Sequence, residues 1–137
     1  MKFLNLTPHP ITIVADGRSF DLPVDGPAPR LAVERVDLGV LPMDYEGYSS
    51  LYDREEVMLH DIPVVRSMMG APTGLPEPQD GVIVIVSALV AEHPSVAHRT
   101  DLAYPGEAIR DADGKIVGAK GLCAGPGMTE SLRAAVA

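Results

Sequence analysis

A chain of 137 residues, 46% of them hydrophobic, is long enough for one buried core and too short for two comfortable ones. Its single cysteine, Cys123, excludes an internal disulfide, and no apolar run approaches the roughly 20 residues of a transmembrane helix, so a reducing, cytoplasmic setting without membrane insertion is expected. A net charge of −8 disfavours duplex nucleic acid as a partner, because a polyanion must be held by many basic contacts.

Most of the negative excess sits in residues 37–61, which hold seven acids and one base. There is no Trp, and Phe3 and Phe20 are the two phenylalanines, so the interior is expected to be built from branched aliphatics, which favour strands. Residues 2–6 alternate as a strand. Thr7-Pro8-His9-Pro10 then breaks the ladder, since two prolines remove donors and hold their predecessors extended. Residues 11–14 resume the β pattern, and Asp16-Gly17 between them and residues 18–22 is the two-residue signal of a type I′ hairpin. Three prolines and a glycine make residues 23–29 a loop. Residues 30–38 alternate again, with a bulge expected at the consecutive charges Glu34 and Arg35. Residues 41–52 carry Tyr, Ser, Gly and acids without a period and read as a long surface loop.

Two apolar segments, 55–60 and 62–68, follow on either side of Asp61, with Pro63 marking an edge or a strand start. The Pro- and Gly-rich residues 70–81 read as an extended connection. Five consecutive branched residues, 82–86, predict a central strand buried on both faces. Ser87 is placed to cap one or two helical turns that end before Pro94. Residues 107–110 and 115–122 flank Asp111-Ala112-Asp113-Gly114 as a second hairpin. Gly125-Pro126-Gly127 is a breaker, and residues 129–136 form a short helix or a disordered end. The expected fold class is mainly β, a β-rich α+β chain forming a small antiparallel barrel or sandwich of hairpins with one short helix. Residues 1–123 are expected to form a single domain, with 124–137 a flexible or short helical tail.

Several separated blocks occur in a recognisable order: Asn5-Leu6-Thr7-Pro8-His9, Ile62-Pro63-Val64-Val65-Arg66, Gly74-Leu75-Pro76-Glu77-Pro78-Gln79, then the run from Val84 through Ala91. Arg99, Asp101 and Arg110-Asp111 precede Gly114-Lys115-Ile116-Val117-Gly118. In these blocks, which span nearly the whole chain, it resembles a family of small uncharacterised proteins of phages, prophages and actinobacterial genomes. The acidic, Tyr-bearing residues 44–52 look longer here than is usual in that family. The resemblance implies a phage or mobile-element role, with the host cytoplasm as location, and carries no activity with it.

Five constellations bear chemistry. Asn5, Thr7 and His9, spaced by two, share one face of an extended strand and could line a pocket, or else satisfy the backbone at the kink. Arg66, Arg99 and Arg110, with Lys115 and Lys120, lie near strand junctions and offer planar forks for an anion, while Asp101 and Asp111 or Asp113 could pair with them on the surface. Tyr45, Tyr48, Tyr52 and Tyr104 are the stacking rings such an anion could use. Ser87 lacks the glycines of a nucleophile elbow and Cys123 lacks a placed base, so no catalytic residue is assigned. His93 and His98 with Asp101, and His60 beside Asp61, match no standard zinc spacing, so neither a metal nor a cofactor is assigned. Asp44, Glu46, Asp53, Glu55, Glu56 and Asp61 form an acidic segment that could dock on a basic host protein or serve as a solubilising loop.

The leading functional expectation is a non-enzymatic, phage-type binding protein that captures a small anionic ligand, a nucleotide signal of host defence being the named candidate. Asn5, Thr7, His9, Arg66, Arg99, Asp101 and Arg110 are its ligand-binding set. The alternative is an acidic protein–protein inhibitor or adaptor working through Glu55, Glu56 and Asp61, and a small hydrolase stands third. Open strand edges and small size make a homo-oligomer reasonable.

Overall fold

A computed structural model of the chain describes residues 1–49 and 54–136. In chain order the elements are β1 (Lys2–Asn5), β2 (Ile11–Ala15), β3 (Arg18–Leu22), β4 (Arg30–Ser49), β5 (Arg54–Thr73) and β6 (Val82–Ile85). There follow α1 (Ala88–Ala91), a 3-10 turn (Pro94–Val96), β7 (Leu102–Arg110), β8 (Ile116–Ala124) and α2 (Pro126–Val136). The chain is mainly β, as its aliphatic composition implies. It divides into two compact units: Met1–Ala32 with Ala71–Ala137, and Val33–Gly70. The chain leaves the first unit at Ala32 and re-enters it at Ala71, and the terminal residues are part of that unit as α2.

The first unit is a curled six-stranded sheet in the order β1-β6-β7-β8-β2-β3. The expected hairpins are present. Asp16 (φ 55°) and Gly17 (φ 71°) both lie in the left-handed region that a type I′ turn requires, and Ile13 pairs with Phe20 across it. The β7–β8 hairpin turns at Asp111, whose Oδ1 accepts the Asp113 and Lys115 amides at 2.9 and 3.0 Å. The sheet is less antiparallel than expected. β1–β6, β6–β7 and β2–β8 are parallel, because long connections rather than tight turns bring these strands together.

Residues 82–86 occupy the expected place. Val84 and Val86 pack into a cluster with Leu6, Val90, Ala91, Val96 and Leu102, while Ile85, fully buried, points to the opposite face. Burying each such aliphatic side chain contributes about 1.5–3 kcal/mol. Ser87 caps α1 as expected, with extended backbone (φ −66°, ψ 155°) and Oγ accepting the Val90 amide. Pro126 opens α2, and Gly127 lets its first turn approach the carbonyls of Ala97 and Arg99, where a Cβ would collide.

Two features curl the sheet. Gly106 and Gly121 sit between the Pro105–Leu122 and Glu107–Lys120 pairs, Gly121 has φ 64°, and a Cβ on Gly106 would overlap the carbonyl oxygens of Lys120 and Gly121. Only glycines allow so close a bend of two strands. At the sheet's margins, the Asn5 side chain on β1 donates to the Leu22 carbonyl at the end of β3, joining first strand to last in a half-barrel.

The second unit is a ribbon. β4 and β5 are hydrogen-bonded neighbours in a two-stranded sheet. Residues 41–49, expected as loop, are strand, and the segments 55–60 and 62–68 are one strand. The expected loop residues 50–52 lie outside the described residues. Side-chain periodicity marked residues 30–38 but did not carry the strand through 41–49, where no residue with a described side chain is buried to select one face. Pro63 is tolerated inside β5 because both strands of a two-stranded sheet are edges.

Candidate functional site

The half-barrel encloses an apolar concavity of about 360 Å³, lined by Phe3 from β1, Ile13 and Ala15 from β2, Phe20 and Leu22 from β3, and Gly121 and Leu122 from β8. Its geometry follows from the local rules above. Alternation along β2 and β3 puts Ile13 and Ala15 beside their partners Phe20 and Arg18, and the bend at Gly121 brings Leu122 round to meet Phe3. Both phenylalanines are left unusually open for aromatic side chains, Phe3 at 40% and Phe20 at 49% exposure. A second hollow of about 340 Å³ shares Phe3 and Leu122 and continues to Met128 and Leu132 of α2. Arg18 does not line the hollow, but it pairs with the lining residue Ala15 and by alternation lies on the Phe20 and Leu22 side of β3.

The sequence-derived candidates are placed elsewhere. Asn5 is fully buried. Its Nδ2 donates to the carbonyls of His9 (3.0 Å) and Leu22 (3.1 Å), and its Oδ1 accepts the Thr7 amide (3.0 Å). The buried Thr7 hydroxyl lies 2.6 Å from Asn5 Oδ1 and 2.9 Å from the His9 carbonyl, and donates to one of them at a time. Asp25 completes the clamp by accepting the Asn5 amide at 2.8 Å and donating its own to the Asn5 carbonyl at 2.9 Å. Asn5 and Thr7 therefore hold the kink between β1 and β2, while His9 is exposed and contributes its carbonyl.

Arg99 and Asp101 form a bidentate pair, Nε to Oδ1 and Nη2 to Oδ2 at 2.8 Å each, with both side chains 10% exposed. That hydrogen bonding holds the guanidinium pKa above its ordinary value against the opposing effect of desolvation. Arg110 donates to the Gly114 carbonyl at 2.8 Å and braces the β7–β8 turn. Lys120 is exposed and 3.7 Å from Glu107, and Arg66 is exposed on β5 in the second unit. Arg99 and Arg110 thus serve separate local partners, at opposite ends of the stretch that holds β7.

Among the possible stacking rings, Tyr104 donates to Glu92 at 2.8 Å, which with partial burial raises the phenol pKa above its usual value. Tyr45 and Tyr48 belong to β4, and Tyr52 lies outside the described residues. Of the acidic set, Glu55 and Asp61 are exposed on β5, Glu56 is in the same strand, and Asp53 lies outside the described residues. Among the described residues no three His, Cys, Asp or Glu side chains are grouped to hold a metal ion, and every buried side-chain polar atom has a hydrogen-bond partner. No described helix is long and apolar enough to cross a membrane.

Sequence reasoning missed the concavity because it sought polar groups. The signal was nonetheless present: a type I′ turn at Asp16-Gly17 fixes the register that sets Ile13 against Phe20 and Ile11 against Leu22. No protein-family model, curated protein or solved structure matches the chain.

Proposed function

We propose that the protein is a non-enzymatic binding module that captures a small amphiphilic anion, its apolar part in the half-barrel concavity and its charged group toward Arg18. The observation that carries this is the hollow of about 360 Å³ with apolar lining residues, one of which, Ala15, pairs with Arg18 on the same side of β3 as Phe20 and Leu22. Ligand pockets have volumes of roughly 300–1,000 Å³, apolar walls and a few orienting polar groups. Covering roughly 200 Å² of apolar ligand surface contributes about 5 kcal/mol, against an association cost of about 4 kcal/mol or more. Apolar contact alone therefore gives weak binding. One charge-assisted hydrogen bond adds about 1.5–3 kcal/mol, so the anionic group decides selectivity by about tenfold or more.

A nucleotide is the narrower candidate, with Phe3 or Phe20 as the stacking ring. The lining counts against it, since no side chain there is a partner for the donors and acceptors along a nucleobase edge. Calorimetric titration with decanoate, decanol, AMP and cyclic nucleotides separates these cases. Decanoate is expected to bind more tightly than decanol. Ala15→Trp, which fills the hollow, is expected to weaken both at least tenfold, and Arg18→Ala to erase the difference between them. Nucleotide binding without decanoate binding would transfer the proposal to the nucleotide; no binding by any of them at millimolar concentration would reject it.

A further inference from the structure

The second unit presents a physical problem that the first does not. No residue between Val33 and Gly70 whose side chain is described is buried, although β4 and β5 run for 20 residues each. Even-numbered and odd-numbered apolar positions are alike exposed: Val36, Leu38 and Val40 on the one hand, Val33, Leu41 and Met43 on the other, with Leu59, Ile62, Val65, Met68 and Met69 on the return strand. An isolated two-stranded ribbon is marginal in water, since its hydrogen bonds face solvent and no burial offsets its backbone entropy. A large exposed apolar surface of this kind marks an interaction site.

We infer that the β4–β5 ribbon is an assembly element that packs on the ribbon of a second copy of this chain, the two related by a twofold axis that sets them antiparallel. Three observations select a second copy. The ribbon's apolar part is close to neutral, residues 33–43 and 57–70 holding three acids and two bases, so like copies meet there without repulsion. The charge is concentrated toward the end of β4 and the start of β5, where residues 44–49 and 54–56 hold four acids and one base. An antiparallel twofold arrangement puts these acidic ends at opposite extremes, whereas a parallel one would bring them together. Area is of the required order. Within this unit residues 33–49 and 54–70 each span roughly 55 Å, and two strands about 10 Å, giving roughly 550 Å² of projected footprint on each face. One face with the flanks of its side chains approaches the roughly 800 Å² per partner of a stable interface.

The test uses the full chain in native mass spectrometry and light scattering between 1 and 100 μM, roughly the range of a standard interface. The expected species is twice 14.5 kDa. The double variant Val36→Asp with Leu38→Asp is expected to weaken assembly about 100-fold or more, while Glu46→Gln with Glu55→Gln leaves it intact. Hydrogen exchange on the unaltered chain gives a second readout that needs no variant: amides 33–43 are expected to lose protection on dilution. A monomer throughout the range, or an oligomer indifferent to the double variant with concentration-independent exchange, would overturn the inference. So would a monomer whose ribbon amides gain protection only with a basic polypeptide such as polylysine, which would assign the ribbon to a basic protein partner through Glu55, Glu56 and Asp61.

Discussion

Asn5 holds a buried network in which each side-chain polar atom has a partner, and it does so at the seam between the first and last strands of the half-barrel. Removing one member of such a network strands several others without water. Asn5→Ala is therefore expected to lower stability by about 3 kcal/mol or more, measured by urea denaturation. A loss below about 1 kcal/mol would show that the seam is held by other means. Tyr104 offers a pH-dependent counterpart. Its hydrogen bond to Glu92 stabilises the neutral phenol, so the folded pKa lies above the ordinary value near 10. The stabilisation is fully present below the unfolded pKa and is lost as pH rises through the higher folded one. In an alkaline titration followed by ultraviolet absorbance, Tyr104 is expected to ionise above the ordinary phenol value. Tyr104→Phe should remove that component and Glu92→Gln should lower its midpoint; an unaltered curve in either would contradict the assignment.

At the level of elements, backbone rather than side-chain chemistry bends the sheet. Gly106 has no room for a methyl group against Lys120 and Gly121. Gly106→Ala is accordingly expected to cost about 2–3 kcal/mol and to open the concavity, seen as reduced decanoate affinity measured well below the variant's unfolding temperature. Gly17→Ala, at an open turn, should lose stability through its positive φ yet leave the concavity intact. Elements defined by short-range rules were legible in the sequence. The Asp16-Gly17 hairpin, the Asp111 to Gly114 turn, the buried strand at Val84 and the Ser87 cap each follow from a few adjacent residues. β4 was legible at residues 30–38 but not through 41–49, where no buried face imposes alternation on the sequence. Parallel pairing was hidden for a related reason, since it depends on which distant strands meet rather than on any local turn.

For the whole molecule, the candidate site was legible only in fragments. Polar residues that suggested ligand contacts are engaged with each other: Asn5 with Thr7, Arg99 with Asp101, and Arg110 with the Gly114 carbonyl. Such residues satisfy the backbone and ion-pair demands that a small half-barrel creates at its seams and turns. The concavity arises instead from Phe3, Phe20 and Leu122, residues on three strands that become neighbours only when Gly106 and Gly121 curl the sheet. The central claim is that ligand enters this concavity. Titrating the methyl-labelled full chain with decanoate and following methyl resonances by NMR tests it most directly. The account expects saturable shifts at Ile13, Leu22 and Leu122, with Ile109 and Ile116 beside the Arg110 turn unmoved. Shifts confined to Ile109 and Ile116, or no saturable shift at all, would contradict it.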